Sequence, residues 1–146
     1  MRPRLAVLVA LGALACGGHP SQVAPQSPQQ TLTQFMSAVK ANDLDRMGAL
    51  WGSERGPASG YLHADYVHRS LTVFQVYLNH TGYRIVEGPL SVPGNAKLQE
   101  FRIELQRASG CRVVLPIDLI RANSGGWLIN DIHLEAAGNP AKGCAS

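Results

Sequence analysis

Nowhere does the chain carry a basic run or stripe, which weighs against nucleic acid as a partner. It has none of the CxxC or HxxxH spacings that hold common metal centres. It has no GxSxG turn, so Ser53, Ser59 and Ser70 stand without a nucleophile motif. Internal repeats are absent. Cysteine is scarce, with only three in 146 residues, a length that suits one domain. The N-terminal apolar run, Leu5 to Ala15, is eleven residues and too short to span a bilayer. Positive charge is also scarcer than the total suggests. Arg2 and Arg4 precede residue 16, so eleven basic groups face ten acidic ones beyond it, a net of +1 against +3 for the whole chain.

What is present begins with an export pattern. Met1-Arg2-Pro3-Arg4 followed by the apolar run reads as a signal peptide over 1–15. It ends Ala13-Leu14-Ala15-Cys16, which resembles the lipobox of bacterial lipoproteins, although that family prefers leucine where this chain has Ala13. The resemblance implies that Cys16 is lipidated and becomes the N-terminus. It thereby implies a membrane anchor and a bacterial cell-envelope location facing the periplasm. The alternative is an ordinary signal peptide with a coincidental cysteine. Gly17 is not the aspartate that retains such proteins in the inner membrane, which favours the outer one. Residues 16–27 are rich in Gly, Pro, Gln and Ser and read as a tether, with His19 solvated in it.

Three helices are expected next. Ser27, Pro28 and Gln30 form a helix start with capping-box spacing. Leu32, Phe35, Met36 and Val39 make its apolar stripe. Asn42 and Asp43 end that helix and cap a second, striped by Leu44, Met47 and Trp51. Gly52 to Gly60 is a loop by composition, in which Glu54 and Arg55 are either solvated or a gate. Tyr61 to Leu78 is a longer helix with a broad apolar face that includes Tyr66 and Val73.

Strands follow. Tyr83 to Val92 is interrupted by Gly88-Pro89. Phe101, Ile103 and Leu105 alternate with Arg102, Glu104 and Gln106, the period of a half-buried strand. Cys111 to Arg121 is apolar on both alternations, as in a central strand, and Trp127 to Leu134 is the last. A two-residue turn at Ser109-Gly110 pairs Ala108 with Cys111 and sets Phe101 against Asp118. A four-residue turn over 123–126 pairs Ala122 with Trp127 and sets Asp118 against Asp131. This register puts Phe101, Ile103, Trp127 and Ile129 on one face with Asp118, Asp131 and His133. The other face carries Val113, Leu115, Ile117, Leu119, Ile132 and Leu134. That face is too apolar for water, so a homodimer through it is expected. Pro116 in a central strand predicts a bulge that shifts the register by one.

The segment Thr31 to Trp51 resembles the opening helix pair of NTF2-like (SnoaL and ketosteroid-isomerase-like) domains, and Gly125 to Ile132 their closing strand. The similarity covers about residues 28–137, leaving 138–146 as a tail. It implies an α+β cone, with three helices packed on a curved antiparallel sheet of about four strands around an apolar pocket. Some members of that family are isomerases, dehydratases or cyclases, and many are non-catalytic binding or assembly modules.

The register places Cys111 opposite Gly138, within reach of Cys144 on a returning tail. In an oxidising compartment this favours a bridge, with about 3–4 kcal/mol of loop entropy behind it. Free thiols and a metal site are the alternatives.

Asp118, Asp131 and His133 are the candidate catalytic group. Two carboxylates facing each other in apolar surroundings cannot both ionise cheaply, and a histidine is a natural partner in general acid–base work. The competing reading is a solvated or bridged pair at the mouth of the cone. His63 and His68 lie about 140° apart around a helix, and Asp65 and Arg69 are an ordinary i,i+4 pair, so no metal is expected there. The best-supported function is a lipid-anchored, non-catalytic module for a small apolar ligand or a protein partner, without cofactor or metal. In that reading Phe101, Ile103, Asp118, Trp127, Ile129, Asp131 and His133 contact the ligand. The alternatives are an isomerase, dehydratase or hydrolase using the Asp/His group, and a purely structural dimer whose cone is filled by large side chains such as Phe74, Phe101 and Trp127.

Overall fold

The computed structural model describes residues 24–144. Cys16 and the leader lie outside them. Ser27 caps α1 (Pro28–Ala41) by accepting a bond from the Gln30 amide, and Asn42 closes it in the left-handed region at φ 53°. Asp43 caps α2 (Leu44–Leu50) through the Arg46 amide. The glycine-rich loop holds a two-strand ribbon, β1 (Gly52–Ser53) and β2 (Gly56–Pro57), then a 3-10 turn over Ala58–Gly60. The Ala58 carbonyl accepts from the Tyr61 and Leu62 amides, so α3 (Ala64–Leu78) starts three residues later than its apolar pattern suggests. Its inward face is also narrower. Val67, Leu71 and Leu78 are buried, whereas Tyr66 and Val73 are exposed.

Four antiparallel strands follow in chain order, β3 (Gly82–Val92), β4 (Asn95–Gln106), β5 (Arg112–Arg121) and β6 (Trp127–Ile132). The chain is therefore α+β, with three helices, a four-stranded antiparallel sheet and a two-stranded ribbon. Trp51 bridges Ile129, which brings the small ribbon to the free edge of β6.

The register corrects the predicted faces. Arg107 pairs with Cys111 through its amide, making a three-residue turn over 108–110 with Gly110 at φ 86°. That is the three-residue hairpin geometry with a left-handed last residue. One more turn residue than expected moves every β4–β5 pair by one. Phe101 now faces Ile117, Ile103 faces Leu115 and Leu105 faces Val113. Phe101, Ile103 and Leu105 therefore share a face with Leu115, Ile117 and Leu119, and all six are fully buried against Leu32, Phe35 and Met36 of α1. The apolar row that suggested a homodimer is thus covered by the chain's own helices.

The opposite face is largely charged. Arg84 pairs with Glu104, and Arg102 with Glu87 and Glu100. A small apolar cluster of Leu98, Ile120, Ala122 and Leu128 sits at one end of it.

The cysteine expectation holds. Cys111 and Cys144 form a disulfide with Cα atoms 5.2 Å apart. It returns the tail to the start of β5, where Arg107 donates to the Ala137 carbonyl at 2.9 Å. At the other end of β5, the Trp127 amide donates to the Pro25 carbonyl and Thr31 Oγ1 to the Trp127 carbonyl. Residue Pro25, expected to lie in a free tether, is therefore docked on the β5–β6 turn. Among the described residues no helix is long and apolar enough to cross a membrane.

The register is tested by two neighbouring alanines. Leu115→Ala should cost about 2–5 kcal/mol in urea unfolding, and Val114→Ala less than about 0.5 kcal/mol. Equal costs would contradict this face assignment.

Candidate functional site

The β5–β6 turn is also three residues, closed by the Ala122 amide on the Gly126 carbonyl, one fewer than expected. Leu119 consequently faces Ile129 and Ile120 faces Leu128. A bulge between Asp118 and Leu119 then places an extra residue, Asn130, in β6. Beyond the bulge Asp118 faces Asp131, as predicted, and the His133 amide donates to the Pro116 carbonyl. The bulge occurs two residues from Pro116, in the strand beside it.

Asp118 alternates with the buried Ile117 and Leu119, so it projects from the sheet face opposite the helices. Asp131 and His133 join it there. One ligand atom from each of the three lies within 4.8 Å of the other two. His133 Nε2 is 3.2 Å from Asp118 Oδ2, and His133 Nδ1 is 3.2 Å from Glu135 Oε1. Asp131 Oδ1 accepts from the Ile132 amide at 2.8 Å. Asp118 Oδ1 is buried with no hydrogen-bond partner. Two ring nitrogens that both meet carboxylate oxygens fit the imidazolium form, since ionised carboxylates only accept. Burial alone would lower the His133 pKa. The hydrogen bonds to Asp118 and Glu135, with the charges of Asp118 and Asp131, outweigh that and raise it.

The seven residues expected to line one pocket are split by the sheet. Phe101, Ile103 and Ile129 lie in the packed core, Trp127 is half-buried beside it, and Asp118, Asp131 and His133 are on the outer face. Asp131 is exposed, so the paired carboxylates are not enclosed in apolar surroundings. Two surface clefts among the described residues lie elsewhere. One of about 410 Å³ runs beside the disulfide between Arg107, Val113, Asn139 and Lys142. Another of about 310 Å³ separates α2 from α3, with Asp45 and His68 at its rim and His63 outside it. None of the seven lines either cleft. Glu54 binds Lys97 at 2.8 Å, and Arg55 stacks over Tyr61, which ties the glycine-rich loop down.

No protein family, curated protein or solved structure matches this chain. The site is therefore read from its own geometry.

Two of its members escaped the sequence reading. Glu135 follows His133 by two residues and takes its second nitrogen. Glu100 faces Asp118 from β4, giving a row Glu100–Asp118–Asp131 across three strands. Only the corrected register reveals that row. A further histidine, His80, is buried, with Nδ1 at 2.8 Å from the Leu78 carbonyl and its ring edge-on to Tyr83. Desolvation by burial lowers its pKa, against the bond to Leu78.

The two histidines pull stability in opposite directions with pH. His133 binds its proton more tightly folded than unfolded. Its contribution is full below pH 6.5 and is lost as pH rises through its raised pKa. His80 is held neutral, so its contribution is full above pH 6.5 and is lost as pH falls through its lowered pKa. His133→Gln should therefore leave urea stability rising between pH 5.5 and 7.5 more steeply than in the unaltered chain. An unchanged slope would contradict the ion cluster.

Proposed function

We propose that this protein is a lipid-anchored module of the bacterial envelope, NTF2-like in architecture, that engages a protein partner without turnover. The observation that carries this is the filled core. Phe101, Ile103, Leu105 and Ile129 are at no more than 1% exposure in one core cluster with Leu32, Phe35 and Met36 of α1, which favours a filled interior over a pocket for a small apolar ligand. The order of three helices followed by four antiparallel strands supports the NTF2-like reading. The lipobox-like Ala13-Leu14-Ala15-Cys16 supports the anchor.

The chain leaves the domain at Ala24 and Pro25, beside the β5–β6 turn. The disulfide lies at the far end of β5, ten residues or about 33 Å away. In an anchored molecule that end, with its cleft lined by Arg107 and Lys142, is the one farther along the sheet from the point of attachment.

The enzyme alternative draws on the Asp118–His133 contact. It is the weaker reading because both ring nitrogens of His133 are already engaged by carboxylates, one from Asp118 and one from Glu135. The pair also lies on an open sheet face rather than in a cavity.

Extraction of the protein from membranes followed by native mass spectrometry tests this reading. The expected species carries acyl mass at Cys16 and releases a protein partner, but no small molecule, on denaturation. Cys16→Ala should move the chain to the soluble fraction. A soluble, unacylated parent chain, or a tightly retained small apolar molecule, would overturn the proposal.

A further inference from the structure

We propose that Asp118, Asp131 and His133 form a binding site for one divalent transition-metal ion on the outer face of the sheet. The inference stands on the geometry of these residues and does not depend on the anchored-module reading.

Three elements converge to build the group. Asp118 comes from the middle of the sheet, Asp131 from the position facing it in β6, and His133 from just past the end of that strand. The bulge at Asn130 is what returns Asp131 to the outer face beside Asp118, and bulges re-aim side chains in this way. Donors bound to one zinc-sized ion at about 2.0–2.2 Å in tetrahedral array lie about 3.4 Å apart. The Asp118 Oδ2 to His133 Nε2 separation is 3.2 Å, and one donor from each of the three residues lies within 4.8 Å of the other two, so the set has to draw in only modestly to hold one ion.

Three further features fit an ion better than a plain salt bridge. Asp118 is only 16% exposed in its side chain, which holds the carboxylate in place, and its Oδ1 has no hydrogen-bond partner, so protein donors do not saturate the group. Asp131 spends one oxygen on the Ile132 amide and keeps the other for a ligand. Glu135 holds Nδ1 of His133, the arrangement that fixes the ring of a metal-bound histidine and leaves Nε2 to the ion. Two carboxylates and a neutral imidazole carry a charge of −2, matched by a divalent ion.

The donor set selects the class of ion. Mixed carboxylate and imidazole ligands suit Zn²⁺, Co²⁺ and Mn²⁺. They do not suit Ca²⁺, which takes six or more oxygens, or Cu⁺, which prefers sulfur. Three protein ligands leave a fourth position to water on the exposed side. In this site the metal takes the place of the proton that His133 otherwise shares with Asp118.

The test is a titration of the full chain, carrying Cys16→Ser to remove the thiol, with Co²⁺ followed by its visible absorption and then displacement by Zn²⁺. The expected result is one saturable equivalent per chain with the bands of four-coordinate cobalt. Asp131→Asn and His133→Gln should each weaken binding at least tenfold, and Glu104→Gln, on the same face but outside the group, should leave it unchanged. Asp131 is exposed, so Asp131→Asn should keep the parent's circular dichroism and urea midpoint. Absence of a saturable cobalt signal would overturn the proposal. So would equal binding by the folded Asp131→Asn chain.

Discussion

Ile117, in the central strand, faces Phe101 of β4 on one side and Ile132 of β6 on the other, and all three are buried. Gly88 of β3 completes the row. A Cβ there would come within 2.8 Å of both the Phe101 ring and the Glu100 carbonyl, and its φ is +120°. Side chains alternate along a strand, so fixing this row on the helix side fixes the next one on the opposite side. That next row is Glu100–Asp118–Asp131. The apolar packing that closes the core and the register that gathers carboxylates on the outer face are one constraint seen from two sides.

The same constraint explains what could be read from the residues alone. The helices were legible because their signals are local. Ser27, Pro28, Asn42 and Asp43 act within a turn of where they stand. Strand identity was legible from alternation, and the cysteine bridge from the position of Cys111 at the start of the central strand. Register was not legible, because it depends on turn length. Ser109-Gly110 looks like a two-residue turn, but the Arg107–Cys111 pairing adds Ala108 to it. The 123–126 turn looks like four residues, but Gly126 joins the ladder. The first difference moved Phe101 and Ile103 to the face opposite Asp118. The second was cancelled by the bulge at Asn130, so the Asp118–Asp131 pairing survived while its surroundings changed from pocket to surface. A one-residue slip in a sheet is a small error in sequence and a complete one in environment.

The two ends of the domain are secured by different means. At the β5–β6 turn, the Pro25 carbonyl and the side chain of Thr31 bind the backbone of Trp127, so the start of the domain is stitched to its last strand. At the other end, the Cys111–Cys144 bridge and Arg107 hold the tail that follows His133 and Glu135. His133 sits between these regions, immediately before the 3-10 turn over Leu134–Ala137 that packs Ala137 into the core. Its position is therefore determined from both sides, by the pairing of β6 and by the tail. That suits a side chain whose two nitrogens must each meet a separate carboxylate.

The apolar row and the carboxylate–histidine group lie on opposite faces of the sheet. Nuclear Overhauser contacts on the isotope-labelled chain test it most directly. The Phe101 ring should show contacts to the Ile117 and Leu119 methyl groups, and none to the His133 ring or the Asp118 β-protons. Contacts between Phe101 and His133 would place both groups on one face and contradict the account.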